Sequence, residues 1–215
     1  MYNPPYFKED RVPVLHAAMR QAGLATLVTF GAEGLEASHV PMLLDDEPAT
    51  YGVLQGHISI ANAQWRQGDH AVPALAIFLG PDAYISPAWY ETKQLTGKVV
   101  PTWNYITIHA YGQVRFFRDA NRLLDQVSQL TERREVERPD PWTVSDAPAE
   151  YIDGLLKGIV GFELHIERLE GKWKMGQNRP AGDQAGAIAG LNREGGAVAA
   201  SVAKIMAGER SPWRE

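Results

Sequence analysis

The sequence predicts a mainly β fold with helices (α+β): an antiparallel barrel or sandwich with helices at its ends. Roughly six or seven segments have the alternating or continuously apolar pattern of strands, and short turns join most of them. Only two or three segments have helical spacing, and they do not alternate with the strands as a parallel α/β fold requires. GxGxxG and GxxxxGK[ST] are both absent, which gives no support to a dinucleotide-binding fold or a P-loop.

The first half of the chain predicts a helix, a hairpin and a third strand. Asp10 is a suitable N-cap, apolar residues follow at helical spacing, and Gly23 ends the segment. The strand-like runs LATLVTF and LEASHVPMLL are joined by GAEG, which predicts a hairpin. ATYGVLQ reads as a third strand, and ISIANAQWRQ as a short helix that opens beside His57.

The second half predicts longer strands and one clear helix. VPALAIFLG is apolar throughout and predicts a buried central strand, which DAYIS continues after a turn at Gly80–Pro81. Residues 102–117 read as one strand. Asp119 then caps a helix, whose predicted apolar stripe is Leu123, Leu124, Val127 and Leu130.

The C-terminal part predicts a last hairpin and a helical tail. IVGFELHIERL alternates as a strand, and Glu170–Gly171 is expected to turn it into KWKM. The residues from 182 to 210 are rich in alanine and glycine with a weak helical pattern. We therefore predict a barrel domain over residues 1–180. A helical extension over residues 181–215 would pack on the barrel or on a dimer partner.

Composition narrows the class of protein. The 215 residues are 45% hydrophobic and 22% charged, as expected for a packed core, and the net charge is −5. The absence of cysteine excludes disulfides and thiol catalysis. MYNPPYFKED lacks the features of a signal peptide, and the apolar runs are too short to span a membrane. These observations predict a soluble, cytoplasmic protein.

Two polar clusters of the first half are candidates for ligand binding. In SHVP, a polar pair followed by Pro41 could face a ligand, or it could be the exposed side of an edge strand. In GHISIANAQW, His57, Ser59 and nearby amides could hold an anion. The alternative is that His57 is an ordinary surface or capping residue and that Asn62 serves packing.

Two further clusters follow in the second half. YISPAWY and VPTWNY place tryptophans and tyrosines beside Ser, Thr and Asn, a combination that suits a planar heteroaromatic ring. An aromatic barrel core is the alternative, although Pro101 and Asn104 interrupt the strand pattern as a site would. In KWKMGQNR, lysines and an arginine could meet a phosphate, or form a solvated loop.

Other chemistries find little support. Ser86 has no obvious pair of His and Asp partners nearby in sequence, although folding could supply one, so no hydrolytic constellation is recognisable. The histidines, including His70, show no HxxxH or HxH spacing, and we expect no metal site.

Taken in order, these motifs resemble one family. MYNPPYF, SHVPMLL, GHISIANAQW, FLGPDAYISPAWY, VPTWNY with HAYG, IVGFEL and KMGQNR span nearly the whole chain. The chain resembles the PaiB-like FMN-binding negative transcriptional regulators. Their fold is the flavin-binding split β-barrel, a Greek-key-like antiparallel barrel that pyridoxamine phosphate oxidases also use. The resemblance implies a homodimer with FMN in a groove between subunits.

The resemblance also implies a set of cofactor-binding residues, some of them from the partner chain. Three would lie beneath the isoalloxazine ring, and the segment 57–62 would lie near the phosphate. The implied residues are Ser38, His39, Val40, His57, Ser59, Asn62, Ser86, Thr102, Trp103, Asn104, Lys174, Gln177, Asn178 and Arg179.

One departure from the family pattern concerns the phosphate. The family motif is roughly HxARxNP, whereas this chain has HISIANA, so Ile60 replaces the arginine and Ala63 the proline. If that arginine binds phosphate, this chain must use Lys174, Arg179 or helix amides instead, or bind FMN weakly. Loss of such a charge-assisted contact costs about 1.5–3 kcal/mol.

The function implied by the resemblance is FMN binding with negative regulation of transcription. The residues themselves show no helix-turn-helix and no basic surplus, so they favour indirect regulation over direct DNA binding. A flavin-dependent oxidoreductase acting on a small molecule is the alternative. A third reading is a haem-binding relative of the same barrel, with His39 or His57 as axial ligand.

Overall fold

A mixed α+β fold, organised around one antiparallel sheet, confirms the predicted fold class. The structure is a computed structural model that describes residues 1–47, 50–68, 71–209, 211 and 213. Its strands are β1 (Lys8–Glu9), β2 (Leu24–Gly31), β3 (Gly34–Pro41), β4 (Leu43–Asp45), β5 (Val53–Ser59), β6 (Ala74–Ile85), β7 (Thr102–Phe117) and β8 (Ile159–Lys174). Its helices are α1 (Val12–Ala22), α2 (Gln64–Gln67), α3 (Glu91–Thr96), α4 (Ala120–Glu135), α5 (Ala149–Leu156), α6 (Ala181–Glu194) and α7 (Ala197–Ala207).

The strand order in the sheet is β3-β2-β6-β7-β8-β5-β4, and β1 pairs with β8. The chain divides into two compact units. The first comprises residues 1–22, 78–109 and 169–215, and the second comprises residues 23–77 and 110–168. The predicted boundary at residue 180 stays a prediction; α6 and α7, which follow it, belong to the first unit. In the described part of the chain, the helices are too short or too polar to cross a lipid bilayer.

The core of the first unit is formed by α1, by the segments of β6, β7 and β8 that belong to this unit, and by α6 and α7. Leu15 and Met19 of α1 are almost completely buried, as their helical spacing predicts. Leu191 of α6 and Val202 of α7 are fully buried. The predicted helical tail therefore forms two helices that contribute to a hydrophobic core.

The second unit contains the predicted hairpin. β2 and β3 pair from Leu24↔Pro41 to Gly31↔Gly34, which leaves a two-residue turn. Gly34 has a φ of 107°, a conformation that glycine adopts without a steric penalty. On the other side of the unit, Asp119 caps α4 as predicted, because its Oδ1 accepts a hydrogen bond from the Arg122 backbone N–H at 2.9 Å.

Two predicted turns are wrong, because β6 and β8 each run through them without interruption. A Cβ on Gly80 would lie 2.8 Å from Ile106 Cβ, and one on Gly171 would lie 2.3 Å from Leu15 Cδ2. These glycines allow neighbouring elements to pack closely and do not reverse the chain.

The helix predicted over residues 58–67 is also largely wrong. Residues 53–59 form β5, and only Gln64–Gln67 are helical. Ile58 is buried opposite Val160 of β8, so pairing in the sheet prevails over the local helical spacing. His57 therefore lies within a strand and not at the opening of a helix. The sequence interpretation also left α5 unassigned.

The predicted apolar stripe of α4 needs one correction. Leu123 is buried, but Leu124 is exposed, and Gln126 is buried in its place. The consequence is a polar side chain inside the layer between α4 and the sheet.

Candidate functional site

Ser38 and Asn62 are joined by a hydrogen-bond network in the second unit. Asn62 Nδ2 donates to Ser38 Oγ at 2.8 Å, and Ser38 Oγ donates to Gln64 Oε1 at 2.7 Å. The Gln64 backbone N–H donates to Asn62 Oδ1 at 2.9 Å. Gln64 itself is completely buried, and its Nε2 donates to the Leu27 carbonyl at 3.2 Å. The network thus fixes the segment after β5 against the β2–β3 hairpin.

His39 and Val40 follow Ser38 on opposite faces of β3. The His39 ring is exposed, and its Nδ1 lies 2.9 Å from Thr26 Oγ1 on β2. Val40 is buried in the core. His39 therefore presents its other ring nitrogen on the outer face of the hairpin.

That outer face of the hairpin is mostly apolar, and Thr26 and His39 are its polar residues. The paired strands place Leu24, Val28 and Phe30 of β2 beside residues of β3 on the same face. Leu35 is 78% exposed, and Leu24 and Phe30 are exposed as well. The residues of this face are Leu24, Thr26, Val28, Phe30, Leu35, Ala37, His39 and Pro41.

His57 lies beneath α4 in the second unit. Burial lowers the pKa of its imidazole, while the neighbouring Gln126 amide acts in the opposite direction. Neither His57 Nδ1 nor the Gln126 amide completes a hydrogen bond of normal geometry within the described residues, although these atoms are buried. The folded protein therefore favours neutral His57.

This burial predicts a loss of stability in mild acid. The unfolded state takes up a proton at the ordinary histidine pKa of 6.5, whereas the folded pKa is lower. Stability is therefore complete above 6.5 and falls as the pH decreases below it. We expect His57→Asn to reduce this fall, measured by denaturant unfolding at neutral and mildly acidic pH. His39→Asn, which changes an exposed ring, should retain it; an unchanged pH profile for His57→Asn would contradict the assignment.

Ser59 and the residues after it form a turn, and the guanidinium of Arg66 contacts this turn. The Ala61 backbone N–H donates to Ser59 Oγ at 3.2 Å. Trp65 Nε1 and Arg66 Nη2 both donate to the Ile60 carbonyl, at 3.1 and 3.3 Å. The Arg66 guanidinium also stacks over the Trp65 ring, 4.6 Å from its centroid. Arg66 thus places a positive charge beside the position where the family motif has its arginine.

In the first unit, Lys174 joins the motifs VPTWNY and KWKMGQNR. Its Nζ donates to Thr102 Oγ1 at 2.6 Å and also to the Trp103 carbonyl. Burial lowers the pKa of Lys174, and Lys172 and Arg179 lower it further. These contacts fix the ammonium group in place.

An exposed aromatic surface adjoins this lysine. The Trp103 side chain is 53% exposed, and its ring packs edge-on against Tyr84, with centroids 6.0 Å apart. Lys172 is buried and lies over the rings of Tyr2 and Tyr105. The exposed indole of Trp103 offers an aromatic face on which a flat ring ligand can stack.

The remaining predicted residues of the first unit have structural contacts. Asn104 is 2% exposed and donates its amide to Met206 Sδ at 3.3 Å. Gln177 Nε2 donates to the Trp173 carbonyl at 2.6 Å. Ser86 Oγ accepts from the Ala88 backbone N–H at 3.2 Å. These three side chains shape the surrounding turns and helices.

Arg179 and Asn178 complete the predicted set. The Arg179 guanidinium lies 4.9 Å from the centroid of the Tyr90 ring, and Asn178 is exposed. Nearby, Asp183 is completely buried; its Oδ1 accepts from the Thr92 backbone N–H at 2.9 Å, and its Oδ2 has no partner within the described residues. No three potential metal ligands come together in the part of the chain that the structure describes.

The predicted residues thus divide between the two units. Ser38 to Asn62 belong to the second unit, and Ser86 to Arg179 belong to the first. Sequence reasoning missed Gln64 and Arg66, which hold the segment after β5. The only sequence signal for them is their position within the GHISIANAQW motif and directly after it.

Comparison with known proteins identifies the family. Residues 1–168 match the family model described as "Putative FMN-binding domain". An uncharacterized protein of Aspergillus fumigatus is 36% identical, and the alignment covers 96% of each chain. Protease synthase and sporulation protein PAI 2 of Bacillus subtilis is 30% identical, again over 96% of each chain. Among solved structures, the flavocytochrome Anf3 of Azotobacter vinelandii has a TM-score of 0.54 at 11% identity and covers 78% of this chain and 69% of its own. The chain therefore belongs to the PaiB-like FMN-binding domain family and has its split β-barrel fold.

Proposed function

We propose that this chain binds FMN at the interface of a homodimer. The observation that carries the proposal is the exposed ring of Trp103 on β7, whose backbone carbonyl accepts a hydrogen bond from the Lys174 ammonium group. A planar ring can stack on the exposed indole. When bound, the flavin would supply the redox chemistry, and the protein would orient it.

The apolar outer face of the β2–β3 hairpin supports the dimer. Exposed apolar faces of this kind are typical of association surfaces. The face carries no charged residue, and its Thr26 and His39 already contact each other. It can therefore pair with the same face of a second copy, as a twofold interface requires. His39 would then lie at the subunit boundary.

Arg66 is the cation that we assign to the FMN phosphate in place of the missing motif arginine. It is positioned by the Ile60 carbonyl and the Trp65 ring, and it contacts no carboxylate among the described residues. Lys174, by contrast, already donates to two protein oxygens. Arg179 packs on Tyr90.

Titration with FMN and with riboflavin tests both the proposed binding of FMN and the assignment of Arg66 to the FMN phosphate. We expect saturable FMN binding, and we expect Arg66→Gln to weaken it about tenfold, because a charged hydrogen bond is worth about 1.5 kcal/mol. Riboflavin affinity should not change. Arg115→Gln, an exposed arginine of the same unit, is the control. Sedimentation should give twice the subunit mass of 23.8 kDa.

The outcomes separate the two assignments. A colourless protein that sediments as a single subunit and refuses FMN at high micromolar concentration contradicts the proposed function. Normal FMN binding by Arg66→Gln contradicts only the role of Arg66. A Soret band on haem addition would favour the alternative that the chain binds haem. Exposed His39 is then a better axial ligand than His57, which lies beneath α4.

We further propose that any negative regulation of transcription by this chain is indirect. Its net charge of −5 gives little electrostatic support to direct contact with DNA phosphates. Retention of upstream DNA by the purified protein at moderate salt would contradict this.

A further inference from the structure

The segment after α4 is held as a strap across the end of that helix. We define the strap as residues 139–146. Glu135 Oε2 accepts from the Trp142 backbone N–H at 3.3 Å, and Glu135 Oε1 accepts from Arg138 Nε at 2.9 Å. At the far end, the Thr143 backbone N–H donates to Asp146 Oδ2 at 2.7 Å. These contacts give the strap a defined shape.

A cavity of about 470 Å³ lies between the strap and α4 in the second unit. This size is within the usual range of small-molecule sites. The helix contributes Ser128, Thr131, Glu132, Glu135 and Val136, and the strap contributes Pro141, Trp142, Thr143, Val144 and Ser145. Trp142 is 45% exposed and Val136 is exposed, so the cavity offers apolar surface that is not covered by protein.

The charged groups of the cavity lining are carboxylates. Glu135 is engaged by Arg138 and the strap, whereas Glu132 makes no ion pair among the described residues. Ser128 and Thr131 donate to helix carbonyls and are occupied. No lysine, arginine or histidine appears in the lining of the cavity within the described chain.

The surroundings of the cavity contain charges of both signs. The cavity lies at the C-terminal end of α4, where the helix dipole favours cations. A neighbouring cavity of about 550 Å³ shares Glu132 and Val136, and it adds Asp45 and Asp46 but only one cation, Arg133. Within the cavity lining itself, the carboxylate of Glu132 is the group left for a cationic ligand, because Arg133 and Arg134 of the same helix turn do not line it.

We propose that this cavity binds an organic ammonium compound with a short apolar body. The ammonium group would pair with the Glu132 carboxylate, and the apolar body would pack on Trp142 and Val136, where the indole face also attracts the cation. Neutral molecules of the same shape lack the charge contact, and anions are repelled. The cavity lining shares no residue with those that we assign to flavin binding.

Calorimetric titration with n-pentylammonium chloride tests the proposal, with 1-pentanol as the neutral compound of similar shape. We expect saturable binding of the ammonium to the full-length protein. Glu132→Gln and Trp142→Ala should each weaken it about fivefold, as expected for exposed charge and cation–π contacts. Glu137→Gln, an exposed acid of the same region outside the cavity lining, should bind like wild type.

Three results would overturn the proposal. They are the absence of saturable binding, equal binding of 1-pentanol, and unchanged affinity in Glu132→Gln. Glu132 is exposed, so its substitution tests the site even if Trp142→Ala disturbs the strap.

Discussion

Gly112→Ala is expected to lower the free energy of unfolding by about 3 kcal/mol, at the upper end of overpacking effects. Gly112 lies in β7, and a Cβ there would sit 1.8 Å from the His165 carbonyl oxygen of β8. The obstacle is the backbone of a neighbouring strand, which cannot rotate away as a side chain can. The two strands would have to separate. Denaturant unfolding monitored by circular dichroism measures the effect.

Gly154→Ala is the matched control, and we expect the opposite sign. Gly154 lies in α5, and nothing stands within 4 Å of a Cβ built on it. Alanine is a better helix former than glycine by about 0.8–1 kcal/mol, so this variant should be more stable. Equal stability of the two variants would show that close approach of β7 and β8 is not what requires Gly112.

Gln64→Ala is expected to lower the free energy of unfolding by about 2–3 kcal/mol and to weaken FMN binding. The substitution leaves the Leu27 carbonyl without the amide that donates to it, and removes the acceptor for the Ser38 hydroxyl. Unsatisfied buried polar groups cost about 1–3 kcal/mol each. Ser38, which accepts from Asn62, would lose its own acceptor, so the segment proposed to lie near the flavin phosphate should loosen. Unfolding and FMN titration give the two readouts.

Gln67→Ala serves as the comparison within the same short helix. Gln67 is exposed, so its truncation should change stability by less than about 0.5 kcal/mol. If Gln64→Ala is as stable as Gln67→Ala, the network through Ser38 contributes nothing. If it is unstable but binds FMN normally, the network supports the fold and not the site.

Helices and hairpins with strong local signals were predictable from the sequence. The β2–β3 hairpin follows from two strand patterns around GAEG, and α1 ends where Gly23 takes a left-handed φ of 66°. The Asp119 cap of α4 is also local, because side chain and amide are three residues apart. Such features depend on neighbours in the chain, which a sequence displays directly.

Prediction from local patterns was wrong at glycines whose role is to allow close packing against a distant part of the chain. The dipeptides Gly80–Pro81 and Glu170–Gly171 are typical of turns. Each glycine nevertheless lies inside a continuous strand, against a residue distant in sequence. Ile58 likewise joined a strand because β8 was available to pair with it. Local patterns contain no information about which partner will be adjacent.

By itself, the sequence determined the fold class, the family and the motifs from which the candidate site is drawn, since these depend on local periodicity and on residue types in order. Tertiary structure decided how those residues are used. It brought Lys174 to Thr102 and buried Asn104 against Met206. The physical reason is that hydrogen bonds and burial join residues far apart in the chain, so a side chain's role depends on the partner that folding brings to it.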